Sequence, residues 1–402
     1  MPVWLDVIPE KAAQVPRPDT RRWLLFLALI MVAGIVLTLW NWSTERTGFV
    51  FWFTALGLPF CLWSLIFSLR RFAYKAAQVG AESRNAAREA LIKSEIQRGQ
   101  RCAWILGSYI QTVTGNKADP LLTAVDQATP QMAISTPRGG TAPVRYAALT
   151  AFQKDLSGEL DATISKLVAR VQTIVEPLQQ DLSCWLMLDC DSDIYTQVTE
   201  PLNRALLKET GRVFRLMAGK GPAALDAWLD KRWDTPGILA AVTLGLPAAP
   251  REGDADAITM MVLSNRKATA FPDAVRLHRP EKGTTGTLGK ALTRALLWAT
   301  LPPEALRSGW FTGPSLIQGS SWNNACEENG VTFSLTEENA CLDTALGYAG
   351  QASPWLAVAL AEAVSGERGP QVIAAQPAAD NDDIWIAVIT KDDARKELTG
   401  NV

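Results

Sequence analysis

Histidine is almost missing from this sequence: among 402 residues there is one, His278. Metal sites with two or more His ligands, and Ser–His or Cys–His machinery away from position 278, therefore cannot be built within one chain. Cysteine is sparse and unpatterned. Cys61, Cys102, Cys184, Cys190, Cys326 and Cys341 show no CxxC spacing, so a zinc site is not expected and neither is any other cofactor. The chain also lacks an excess of either charge. With 39 Lys and Arg against 41 Asp and Glu, the net charge of -2 supplies no global basic field, and nucleic acid is not an expected partner. What is present is apolar: 48% of residues are hydrophobic and 20% charged, which excludes a disordered chain and points to a part that lives in lipid.

Two long runs account for that part. Trp23–Trp40 (WLLFLALIMVAGIVLTLW) carries no charge and follows Arg21 and Arg22; Gly48 to Leu69 is uncharged and ends at Arg70 and Arg71. Each is long enough, at about 1.5 Å per residue, to cross a hydrocarbon core of about 30 Å. A signal peptide is disfavoured because no small-residue cleavage site follows and a second run arrives at once; a buried soluble hairpin is the other alternative. The basic flanks, Arg17, Arg21 and Arg22 before and Arg70, Arg71 and Lys75 after, contrast with a short Asn41–Thr47 loop in which Glu45 and Arg46 cancel. By the positive-inside rule this gives a two-span protein of a bacterial inner membrane with both termini cytoplasmic and the bilayer as a partner. Pro59 inside the second run predicts a kink.

The organisation that follows is a cytoplasmic tail (1–22), a transmembrane hairpin (23–69), a juxtamembrane helical stalk (70–115), a first α/β half (116–236) and a second (237–402). Phe72 to Gln100 is polar all round, with apolar positions too sparse for a coiled-coil seam. Beyond Gly115, short apolar runs alternate with helical periods. Strands are predicted at Val144–Phe152, Leu182–Leu188, Ile238–Leu244, Ile258–Leu263 and Ile384–Thr390; helices at Leu160–Glu176, Val198–Met217, Leu288–Thr300 and Ser353–Val364. Such alternation argues for an α/β sheet covered on both faces.

Several motifs fail as chemistry. Gly283–Lys290 (GTTGTLGK) has neither phosphate-loop nor dinucleotide spacing and reads as a lead-in to a helix. Asp189, Asp191 and Asp193 at a strand end suit either a divalent cation or a solvated turn, and Asp380, Asp382 and Asp383 read as a loop. Cys184 and Cys341 read as buried packing, or else as a nucleophile for which no activating neighbour is evident. Gly347, Gly350 and Ser353, in LGYAGQASPWLAVALAEAV, imply close backbone approach ahead of an apolar helix: tight helix–sheet packing, or the lip of an active site.

From residue 238 to 391 the order of features resembles the C-terminal half of the thiolase and β-ketoacyl synthase superfamily. The strand Ile258–Leu263 after a Gly/Asp-rich turn, the LPPEAL step (Leu301–Leu306), the glycine turn with its buried helix, and IWIAVIT as closing strand carry the resemblance. Residues 140–235 would be a shortened first repeat. The resemblance implies a thiolase-like layered α-β-α domain, and it implies catalytic His residues within Phe311–Ser320 and Thr344–Tyr348. Neither segment contains His, and no strand-to-helix elbow with an exposed Cys is evident in the first half. A condensing reaction needs an activated thiolate and an oxyanion site. The scaffold without the catalysis is therefore expected, with any surviving cleft lined by Gly347, Gly350, Ser353, Cys184 and Cys341.

The architecture of a membrane hairpin before such a domain also resembles inner-membrane accessory proteins of bacterial type VI secretion systems, including lipase adaptors. What that resemblance implies is a non-enzymatic protein binding a secretion effector or apparatus component; Trp228, Trp233, Trp310, Trp322 and Trp355 read either as interface anchors or, equally well for most of them, as core packing. A homodimer through the thiolase-like domain is also compatible. The alternatives are a membrane-tethered acyl-transfer enzyme using Cys184 or Cys341, and a membrane immunity protein against a toxin.

Overall fold

The computed structural model describes residues 5–43, 46–140 and 142–391; Glu45, part of the charge balance of the short loop, lies outside them. The chain forms two compact units, one up to Glu95 and one from Ile96 onward.

The first unit is a helical hairpin. Helix α1 (Thr20–Asn41) starts at Asp19, whose side chain accepts from the Arg21 N–H at 3.0 Å. The second helix begins at Phe49 and continues as α2 (Leu58–Gly99). The disturbance expected at Pro59 takes the form of a π-helical turn over Phe53–Gly57, just where proline withholds its N–H from the preceding turn. Packing is closest there: a Cβ on Gly34 would lie 2.2 Å from Pro59 Cγ. Trp63 Nε1 donates to the Trp23 carbonyl at 2.9 Å. Leu25 and Trp40 are 71% and 84% exposed, unlike core residues of a soluble hairpin, and both helices are candidate membrane spans. Ala12 N donates to Asn85 Oδ1 at 2.9 Å and Arg88 Nε to the Pro9 carbonyl at 2.6 Å, so the segments before the first span and after the second share one end of the hairpin.

The second unit is built on a duplication. Its elements begin with β1 (Cys102–Gln111), α3 (Ala118–Asp126), the hairpin β2 (Ala133–Ser135) and β3 (Val144–Tyr146), and α4 (Leu156–Val175). Then come β4 (Ser183–Cys190), α5 (Tyr195–Thr210), β5 (Phe214–Leu216), α6 (Gly221–Lys231), β6 (Gly237–Gly245) and β7 (Ala257–Ser264). The remainder is β8 (Val275–His278), β9 (Glu281–Gly283), α7 (Leu288–Ala299), β10 (Ser308–Thr312), α8 (Ser321–Glu328), β11 (Asn339–Cys341), α9 (Ser353–Ala363), β12 (Gln371–Ala375) and β13 (Ile384–Thr390).

The strands pair in the order β11-β10-β12-β13-β8-β1-β7-β6-β4-β5. Read outward from the β1–β8 junction, each half has its first, fifth, fourth, second and third strands in the same sequence. The directions match too: β4 is parallel to β5 and β6, as β10 is to β11 and β12, while β7 and β13 run antiparallel to their neighbours. Cys102 faces His278 where the halves join. Outer helices α4 and α5 cover one face of the first half around Ile164, Leu167, Val198 and Leu202, and α7 and α8 cover one face of the second around Leu292 and Trp322. Between the inner faces lie α6 and α9, sharing one core with Met187 and Leu239 of the first half and Trp310 and Ile373 of the second. Every residue of α9 from Ser353 to Ala361 is buried, the condition of a helix that is apolar all round. The sandwich is thus layered α-β-α-β-α, with the middle helices common to both halves.

Several boundaries differ from the sequence reading. The stalk does not reach residue 115: α2 stops at Gly99, and Cys102–Gln111 is a central strand, with Ile105, Leu106 and Ile110 buried and Trp104 and Tyr109 half-buried. Only Val144–Tyr146 of the strand predicted to end at Phe152 is extended, Thr150–Lys154 being a helical turn. The helix predicted over Val198–Met217 ends at Thr210, because Gly211 adopts φ +66° as a C-cap, and Phe214–Leu216 follows as a strand. The LPPEAL step is a 3₁₀ turn at Pro303–Ala305. The halves divide between Ser264 and Val275, not at 236, because β6 and β7 complete the first repeat by pairing with β4 and β1.

Candidate functional site

The duplication places two strand-to-helix elbows at equivalent points. In each half the third strand feeds the central helix: β5 leads through Met217–Lys220 into α6, and β11 leads through a short helical turn (Leu342–Ala345) and the glycine turn into α9. At both entrances stands a glycine with φ +54°, Gly221 and Gly350, and each helix carries a proline in its first turn, Pro222 and Pro354. A Cβ on either glycine would meet no atom within 4 Å. A sharp elbow of this kind is where a nucleophile is presented in strand–turn–helix enzymes. Gly221 is the first residue of α6, whereas Gly350 opens a 3₁₀ turn (Gly350–Ala352) just ahead of α9.

The elbow missed in the sequence was hidden because β5 is only three residues long and looks like a continuation of α5. Its signal was the pair Gly219 and Gly221, both at positive φ. Beside it, Lys220 Nζ lies 3.1 Å from Oδ1 of Asp189, a buried carboxyl that burial pushes up and the ammonium draws back down.

In front of the elbows, the first turns of α6 and α9 converge on a small apolar cavity. Pro222 and Leu225 face Pro354, Trp355 and Val358 across it, and its volume is about 20 Å³. A single water needs roughly 10–15 Å³, so this cavity holds little more than one.

The segments in which the resemblance called for His form a closed polar network. Asp343 accepts from Thr312 Oγ1 at 2.5 Å and from Gly313 N at 2.8 Å, and burial pushes its carboxyl up to about 6. Gln376 accepts from Ser315 N at 2.9 Å and donates to Ser315 Oγ and the Asn381 carbonyl. Tyr348 donates to the Gln376 carbonyl at 3.0 Å, and burial raises its hydroxyl. Gly347, at φ +94°, sits where a Cβ would be 2.7 Å from the Gly253 carbonyl, which is the close approach its glycine implied. Gly347, Gly350 and Ser353 therefore lie together at the mouth of α9.

Cys184 and Cys341 do not join them as one cleft. Cys184 is in β4 and Cys341 in β11, near opposite edges of the sheet. Burial raises the Cys184 thiol against the pull of Arg212, a neighbour the sequence did not reveal. Arg212 itself is buried and caps α4, donating to the carbonyls of Val175, Leu178 and Gln179. Cys341 is near the glycine turn, where burial and Asp343 push it up to about 11. His278 is buried, with Nε2 2.8 Å from Thr390 Oγ1.

The LDCDSD carboxylates are dispersed among separate partners. Asp191 accepts from Leu246 N at 2.7 Å and Asp193 pairs with Arg138 at 2.5 Å; among the described residues no group of three His, Cys, Asp or Glu is placed to hold a metal ion. Of the Trp residues considered as interface anchors, Trp228, Trp310, Trp322 and Trp355 are buried in the core; Trp233 alone of these is half-buried.

Two repeats of one sheet topology, enclosing shared central helices entered through paired elbows, give this unit a thiolase-like fold, similar to that of β-ketoacyl synthases. A β-ketoacyl synthase from Burkholderia phymatum STM815 aligns with a TM-score of 0.50 at 9% identity, over 72% of this chain and 99% of that one. Ketosynthase twelve of the bacillaene polyketide synthase of Bacillus amyloliquefaciens gives 0.50 at 8% identity, over 73% and 75%. The PfaC keto synthase-chain length factor gives 0.51 at 8%, over 72% and 43%. At such identities the likeness is one of fold. No family model and no curated protein matches the sequence.

Proposed function

We propose that this is a non-enzymatic bacterial inner-membrane protein whose thiolase-like domain binds a protein partner, serving as an adaptor for effector delivery by a type VI secretion system. What supports the non-enzymatic reading is Gly221: the elbow into α6 is formed by a glycine, and the small cavity in front of it is lined by apolar residues. Pseudo-active sites of this kind leave the scaffold free to serve as a binding surface.

Support for a partner comes from the edge strand β5. Among the described residues it ends the sheet, with no strand beside one row of its backbone N–H and C=O groups, and Val213, Leu216 and nearby Leu207 are 67%, 43% and 49% exposed. Such an edge takes an added strand readily. In the proposed assembly it receives a secretion effector or apparatus component; a second copy of this chain is the competing occupant.

Purification in mild detergent from a strain making every neighbouring gene product is the test. Recovery with an effector or apparatus component is expected, weakened by Val213→Asp. Recovery of the protein alone would overturn the adaptor reading, and a mass of two chains would favour the homodimer. The cytoplasmic placement of both termini is checked with a membrane-impermeant maleimide: Ser43→Cys should label from outside the inner membrane and Ala12→Cys should not.

A further inference from the structure

One acid of the second unit stands where it weakens the fold. Glu362 is the last residue but one of α9, at the end where the helix carbonyls already concentrate negative charge. The residue is half-buried, its Oε2 is fully buried, and among the described residues that oxygen accepts no hydrogen bond. Burial pushes the carboxyl up, against the Ser108 hydroxyl and the Arg170 guanidinium, which favour its charge. A buried acceptor without a donor is a net cost to folding, so packing does not account for an acid at this position.

Glu362 lines a cleft opened by the divergence of two strands. β1 pairs with β8 only from Cys102 to Ile105; past an irregularity between Ile105 and Gly107 it continues to Gln111 with β7 alone. The cleft borders this second stretch of β1, between the end of α9, the start of α3 and the side of α4, and has a volume of about 530 Å³. Small-molecule sites commonly occupy about 300–1,000 Å³ and combine an apolar wall with a few convergent polar groups. Here Ile110 and Ala359 are the apolar wall, Ser108 and Glu362 are polar, and the exposed cations Lys117 and Arg170 stand at the rim. Arg170 Nε donates to the Ser108 carbonyl at 3.3 Å, and among the described residues neither Arg170 nor Lys117 forms an ion pair.

We infer that this cleft binds a free aliphatic amino acid, with its ammonium on Glu362 and its carboxylate between Arg170 and Lys117. A simple anion would leave Oε2 without a donor, and a simple amine would leave both cations unanswered. A molecule carrying both charges close together satisfies the acid and the cations at once through charge-assisted hydrogen bonds. Its aliphatic side chain is then removed from water against Ile110 and Ala359. The inference is independent of which protein partner the domain binds.

Isothermal titration of the full chain in mild detergent tests this with L-leucine, with isopentylamine, which lacks its carboxylate, and with isocaproate, which lacks its ammonium. Leucine should bind tighter than either by roughly tenfold or more, the worth of one charge-assisted hydrogen bond. Glu362→Gln should abolish its advantage over isocaproate, and Arg170→Gln should reduce its advantage over isopentylamine. Because Glu362→Gln removes an unpaired buried acid, its unfolding temperature should not fall, which separates lost binding from lost folding. Leucine that does not bind, three probes that bind alike, or a leucine affinity untouched by Glu362→Gln would each overturn the inference. A lower unfolding temperature for Glu362→Gln would overturn it too, by showing that the acid serves the fold.

Discussion

Gly221 and Gly350 hold the same backbone φ, +54°, at the entrances of the two central helices, and at both a Cβ would point into open space. The left-handed conformation, not crowding, is what requires glycine there. Gly221→Ala and Gly350→Ala should each lower stability by about 1 kcal/mol. Gly347→Ala should cost more, because its Cβ would also meet the Gly253 and Asp254 carbonyls at 2.7 Å and 2.8 Å. Denaturant unfolding followed by Trp fluorescence measures all three; equal losses would contradict the distinction.

The cysteines separate the binding and enzyme readings. With its thiol pushed up to about 11, Cys341 should be alkylated on the order of a hundredfold more slowly at neutral pH than a free thiol, since thiolate fraction falls tenfold per unit. Cys326 and Cys190, both pushed up to about 12, should be slower still. Labelling of Cys341 or Cys184 faster than a free thiol would restore the acyl-transfer reading.

Arg279, 1% exposed, ties the start of the domain to α6. Its Nε reaches Asp226 Oδ1 at 2.6 Å and Nη1 reaches Asp230 Oδ1 at 2.8 Å, while Arg98 grips Asp230 from the last turn of α2 at 2.5 Å. Burial works against the Asp230 charge, but hydrogen bonds from Arg98 and Arg279 hold its carboxyl well below the usual range. Removing one member of such a network strands the others. Arg279→Met should cost about 3–5 kcal/mol, whereas Arg294→Met, at the more exposed pair with Glu281, should cost about 1 kcal/mol or less. A similar loss for the two would show that burial is not the deciding factor.

Two buried carboxyls give the domain an unusual pH dependence. Burial pushes Asp256 up to about 7 and Asp343 up to about 6, from an ordinary 3.8. Between those limits the native state holds protons that the unfolded chain has released. The stability these groups contribute is therefore complete below about pH 4 and is lost as pH rises through 6 and 7. Thermal unfolding should occur at a higher temperature near pH 5.5 than near pH 8, by roughly 1 kcal/mol or more in free energy. Asp256→Asn keeps the group that accepts from Leu149 N and should flatten that slope. An unchanged slope would remove Asp256 as its source.

Much of this was legible in the sequence because it depends on local pattern. The two long apolar helices follow from uncharged length, β13 was read to the residue from IWIAVIT, and the glycine turn before α9 from Gly347 and Gly350. The lack of His in Phe311–Ser320 and Thr344–Tyr348 is a plain reading of residue identity. Pattern misled in two ways: β5, with three residues, was too short and was absorbed into a helix, and β1 was hidden behind the polar helix that precedes it.

By itself, then, the sequence determined the helical hairpin, the α/β alternation and the lack of His in Phe311–Ser320 and Thr344–Tyr348, all properties of residue type and spacing. Only the tertiary structure decided that β6 and β7 complete the first repeat, that Gly221 occupies an elbow matching Gly350, and that Cys184 and Cys341 lie far apart across the sheet. It also decided that dispersed Arg residues gather around Trp185 and Trp233. The physical reason is the same in each case. Strand order is set by hydrogen bonding and burial between segments distant in the chain, and no local periodicity records which strand a given strand will meet.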